Sequence, residues 1–116
     1  MGKRFCGAYI DYIFEFIVST LQKRKNVIID GNNISYLHKL IKKEIFQKVF
    51  KSLVYCMNVE RLDGRLVGNT PEERYLSFSE TEYCIEVMNR NFPNMKEQLY
   101  TELAGKCEYI SEIIKE

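Results

Sequence analysis

The side chains best suited to chemistry in this chain are few and widely spaced. Its single histidine, His38, stands between Leu37 and Lys39. Ser/His/Asp and Cys/His catalytic sets both need an imidazole to take the nucleophile's proton, so either would have to use this one. No nucleophile-elbow pattern flanks it, and His38 is expected at the surface or at its boundary. The four cysteines, Cys6, Cys56, Cys84 and Cys107, are far apart and form no C-x-x-C pair. With one histidine available, a Cys/His zinc site would need unusual long-range assembly. Cys56, Cys84 and Cys107 fall on apolar stripes, where a thiol acts as a small hydrophobe. Buried free thiols and a reducing, intracellular compartment, cytoplasm or nucleus, are therefore expected. Gly64 and Gly68 lack the Lys-Ser/Thr that follows in a phosphate loop, and Asp30-Gly31-Asn32-Asn33 lacks the spacing and closing Glu of a calcium loop. No cofactor is expected.

Lysines make the other candidate site. Lys39, Lys42, Lys43, Lys48 and Lys51 fall opposite the apolar stripe of a long amphipathic segment, with only Glu44 interrupting them. Such a row could track phosphates, with Tyr36 and Tyr55 near enough to stack on bases. All five are Lys, so the bidentate fork that arginine offers is missing. A charge run of this kind is ordinarily a solvated face. The net charge of +1 is also unevenly placed. Up to Asn58 there are ten Lys/Arg against four Asp/Glu, a balance of +6; from Val59 onward there are seven against twelve, a balance of −5. Either the halves attract each other across the fold, or the basic half meets an acidic partner or nucleic acid.

Asn26-Val27-Ile28-Ile29-Asp30-Gly31-Asn32-Asn33 resembles the first strand and turn of PIN-like and NYN-type nucleases. The resemblance implies a metal-dependent ribonuclease with Asp30 as a metal ligand and Asn33 steadying the site. It also implies a helix to Phe50 and a strand over Leu53 to Val59. It covers eight of 116 residues, and a long apolar helix precedes the strand that should open the fold. Acidic residues at the ends of later β-branched runs are missing, although metal-assisted phosphodiester cleavage needs several converging carboxylates. Read from the residues alone, Asp30 to Asn33 is a turn and a helix cap.

The elements that must position these side chains are mainly helical. Ile10, Ile13, Phe14, Ile17 and Leu21 predict a helix from about Ala8 to Arg24, closed by the Lys23-Arg24-Lys25 cluster that suits the negative end of a helix. Val27-Ile28-Ile29 is a short strand or an extended connection. Asn33 or Asn32 then caps a helix from Ile34 to about Met57, with Ile34, Leu37, Ile41, Ile45, Val49, Leu53 and Cys56 as its stripe, broadened by Phe46 and Phe50. Asp63-Gly64 between apolar flanks is a β-hairpin signal. Thr70-Pro71-Glu72-Glu73 predicts a capping box with proline at the first helical position. That helix runs to about Phe92, with a restart near Ser79. A last helix follows from about Asn94 to Lys115, and Gly105 inside it suggests a close helix contact.

One domain is expected at 116 residues, and 46% apolar with 28% charged side chains favours a packed globule. Met1-Gly2-Lys3-Arg4 precedes an apolar run, but Asp11 and Glu15 interrupt it, and Gly2 lacks the Ser or Thr at position 6 that myristoylation wants. No targeting segment or membrane span is expected. The fold class that follows is all-α: a four- to five-helix bundle with an irregular or hairpin segment near residues 58–70. Function by elimination is a non-enzymatic regulatory or adaptor module binding another protein through an apolar groove or a homodimer face. The alternatives are nucleic-acid binding through Lys39, Lys42, Lys43, Lys48 and Lys51, and the metal-dependent nuclease with Asp30.

Overall fold

Apolar residues recurring every three or four positions oblige the first helix to bury most of its circumference. In the computed structural model, which describes residues 7–115, α1 spans Ala8–Arg24 and buries Tyr9, Ile10, Ile13, Phe14, Ile17, Val18 and Leu21. Cys6 lies outside the described residues. Gly7 occupies the N-cap against Ser79: a Cβ there would stand 2.5 Å from the Ser79 carbonyl oxygen, so any larger side chain would push the two segments apart.

The second helix, α2, spans Gly31–Val59. Its 29 residues make a rod of about 43 Å at the usual rise, which sets the longest dimension of a 48 × 33 × 18 Å molecule. The expected stripe is buried from Leu37 to Cys56. The helix begins three residues before the expected Ile34, because the Asp30 carbonyl already accepts from Ile34 N–H at 3.0 Å. Asn33 therefore lies inside the first turn with its side chain buried, and it is not the cap. Val27 to Ile29 is extended, and among the described residues it pairs with no strand. Gln22 instead ties it back to α1, donating to the Ile29 carbonyl at 2.9 Å.

The hairpin signal at Asp63-Gly64 does not produce a hairpin. Arg61 takes a left-handed conformation with φ 54°, its N–H reaching the Asn58 carbonyl and that of Leu62 reaching Met57. This is the Schellman way of ending a helix, with Leu62 folding back as the apolar contact. Leu62 is fully buried, and Asp63–Arg65 follows as a 3₁₀ turn.

The capping box at Thr70 and Glu73 is formed, and α3 runs over Pro71–Ser79. After a break, α4 spans Tyr83–Asn91, and α5 spans Met95–Lys115. Among the described residues the fold is all-α, with five α-helices around one core. α1 packs most extensively on α5 and also meets α2 and α4; α2 meets α5, α4 and α3. Arg24 approaches Glu97 at 4.0 Å and Lys48 approaches Glu102 at 3.0 Å, two surface ion pairs that join the basic half to the acidic one. Among the described residues no helix is long and apolar enough to cross a membrane.

Candidate functional site

The five candidate lysines do not share one face. At about 100° per residue, Lys39 and Lys43 point away from the core, while Lys42 and Lys48 fall on opposite flanks of α2. Lys39, Lys43, Lys48 and Lys51 are exposed and Lys42 is half-buried. Lys48 is engaged by Glu102, and Glu44 on the same helix pairs with Lys106 of α5. Lys39, Lys42 and Lys43 line one recess together with Phe46 and Gln47.

Phe46 is also the first residue of an apolar groove. Along α2 it is followed by Phe50, Val54 and Met57, a row displaced by one residue from the buried Ile45, Val49, Leu53 and Cys56. α2 thus carries two parallel apolar rows. The first lies in the core; in the second Met57 is buried, Phe46 and Val54 are half-buried and Phe50 is exposed, and Phe50 is met by Tyr75 of α3, nine residues long against the 29 of α2. The mismatch leaves a groove of about 440 Å³, walled on the α3 side by Pro71, Tyr75 and Leu76, with Glu72 as its charged lining residue. The rings of Phe46 and Phe50 stand 5.3 Å apart, and Tyr75 meets Phe50 edge-on at the same distance. Phe50 keeps 40% of its surface exposed. Burial pushes the Tyr75 phenol well above its ordinary range, with Cys84 adding to the effect, and its hydroxyl has no hydrogen-bond partner. The sequence reading took Phe46 and Phe50 as a broadening of the core stripe and missed Val54, Met57, Tyr75 and Leu76. The four-four-three spacing of the second row is the signal that could have found them.

His38 lies at the expected boundary, and its partner is Asp11 of α1, which sequence reasoning did not bring to it. Nε2 is 2.9 Å from Asp11 Oδ1. The imidazole lies against Phe14, with centroids 4.7 Å apart. Burial lowers the His38 pKa and outweighs the opposing charge of Asp11, and Lys42 pushes the same way. Ser35 lines the same small cleft, but among the described residues it has no hydrogen bond to the imidazole, so no nucleophile–base pair is assembled.

Asp30 is exposed at the start of α2. Among the described residues no three His, Cys, Asp or Glu side chains gather where a metal ion could be held, and residues 53–59 are helical rather than a strand. The nuclease resemblance therefore fails at the fold: the extended run it rests on has no sheet to join. Cys56, Cys84 and Cys107 are free and buried, as expected. Burial pushes their thiols up to about 11, 12 and 12 respectively, which leaves them protonated and poor nucleophiles at neutral pH. No known protein family, curated protein or solved structure matches this chain.

Proposed function

We propose that this protein is a non-enzymatic interaction module, regulatory or adaptor in kind, that binds another protein in the groove between α2 and α3. The observation that carries the reading is the second apolar row of α2. Apolar surface left in water forgoes about 25 cal/mol per Å², and a row of side chains at helical spacing is the form in which a helix presents itself to a partner. The row here ends on three grouped lysines, so one surface offers both apolar area and charge. The reactive groups elsewhere support the same choice. The thiols of Cys56, Cys84 and Cys107 are buried and protonated, and the one imidazole is held between Asp11 and Phe14 with no hydrogen bond to Ser35 among the described residues.

The test is selection of displayed peptides on the whole protein, with Phe50→Asp as the counter-selection. Phe50 is partly exposed, so the variant is expected to retain its helical circular dichroism. Selected peptides should shift the nuclear magnetic resonance signals of Phe46, Phe50, Val54, Met57 and Leu76, and should lose binding to Phe50→Asp. Failure to enrich any peptide, or shifts confined to the His38 cleft, would defeat the reading.

A further inference from the structure

The charges along the groove are unequal, and they specify what fits it. Resting on the reading above, we infer that the groove takes an amphipathic α-helix with an acidic C-terminal end, lying antiparallel to α2. From Phe46 to Met57 the apolar row spans about 16 Å, the length of three helical turns, and Lys39 lies about 10 Å beyond Phe46. A partner of about 18 residues would place apolar side chains at i, i+3, i+7 and i+11 over the row and its final turn over Lys39, Lys42 and Lys43.

A helix fits better than an extended segment. The row on α2 has helical spacing, so its ridges accept another helix, whereas strand addition needs an open sheet edge, and the described residues contain no strand. Direction follows from charge. A helix carries roughly half a negative charge at its C-terminus and half a positive one at its N-terminus. The three lysines favour the negative end, reinforced by Glu or Asp in the last turn, while Glu72, which lines the apolar groove but not the lysine recess, favours the positive end. Since α2 begins at the lysine end, the partner runs against it. A nucleic acid is the poorer occupant: phosphates would meet the lysines but leave the exposed ring of Phe50 uncovered and approach Glu72.

Three synthetic helical peptides of about 18 residues test this by fluorescence anisotropy in 0.15 M salt. One carries the apolar row followed by a Glu cluster at its C-terminus; the second moves the Glu cluster to the N-terminus; the third replaces Glu by Lys. A labelled oligothymidine strand is the fourth probe. The first peptide should bind tightest, with the second about fivefold and the third at least about tenfold weaker. Lys39→Glu/Lys43→Glu should invert the preference between the first and third. A nitroxide at the C-terminus of the first peptide should broaden the amides of Lys39 and Lys43 rather than those of Met57 and Leu76. If all three peptides bind alike and are all lost in Phe50→Asp, the groove remains a docking site and the acidic, antiparallel assignment is wrong. If no peptide binds and library selection also yields none, both readings fall. Oligothymidine binding tighter than every peptide would overturn the inference in favour of nucleic acid.

Discussion

Tyr75 contributes to the groove with its ring and pulls the other way with its hydroxyl. The ring meets Phe50 edge-on, while the oxygen is buried without an acceptor or donor. A buried polar group that makes no hydrogen bond loses its hydration for nothing. Tyr75→Phe keeps the ring and removes the orphan, so urea unfolding should show stability unchanged or raised by about 1 kcal/mol; a clear loss would mean that the hydroxyl is bonded after all. His38 gives a second residue-level expectation, in pH. Its folded pKa lies below 6.5, chiefly through burial, with Lys42 adding to this and Asp11 and Glu15 opposing it. The unfolded chain therefore binds the proton first as pH falls. The contribution to stability is full above about 6.5 and is lost as pH drops towards the folded pKa. Because this is the chain's one histidine and carboxylates titrate lower, the slope between about pH 5.5 and 7 should belong to it. Urea midpoints should fall across that interval, and His38→Gln should flatten the fall. A rise on acidification would show that Asp11 outweighs burial.

Among the elements, α5 contains a glycine with no structural task. Gly105 is exposed, and a Cβ added there meets nothing within 4 Å, so the close helix contact expected from sequence does not exist. Gly105→Ala should stabilise the protein by about 1 kcal/mol, the helix-interior difference between the two residues, read as a higher denaturant midpoint at unchanged slope. Gly7→Ala is the contrasting case, destabilising because the Ser79 carbonyl leaves no room. Element by element, what sequence made legible was whatever local spacing decides. α1 runs as its apolar residues require, and Thr70 with Glu73 starts α3 where a capping box should. What escaped was decided by tertiary packing. Asp63-Gly64 carries the residues of a two-residue hairpin, yet burying Leu62 through a Schellman turn gives the chain a core contact that an isolated hairpin cannot match. The groove was only half legible, since Phe46 and Phe50 are visible in the sequence but the shortness of α3 decides that they stay uncovered. The contact between His38 and Asp11, 27 positions apart, has no local signal at all.

At the scale of the molecule, one core serves every helix. α2, α4 and α5 each place a thiol in it: Cys56 beside Met88, with sulfurs 3.6 Å apart, Cys84 against the Ser79 carbonyl, and Cys107 among the buried residues of α5. None of the three is exposed at all. A fold with one shared core has no independent half to open, because α1 touches α2, α4 and α5 together. Reaction with a thiol reagent should therefore need global unfolding, and the three cysteines should be labelled at one common rate. That rate should fall as stability rises, so Gly105→Ala should slow all three in the same proportion. Mass spectrometry of peptides after timed labelling reads each site separately, with Cys6 followed as its own signal. Faster labelling of Cys107 alone would show that α5 peels away from α1 as a unit of lower stability. Faster labelling of Cys84 alone would place the weak point at the short α3–α4 pair, beside the groove, where a bound partner helix would then be expected to restore protection.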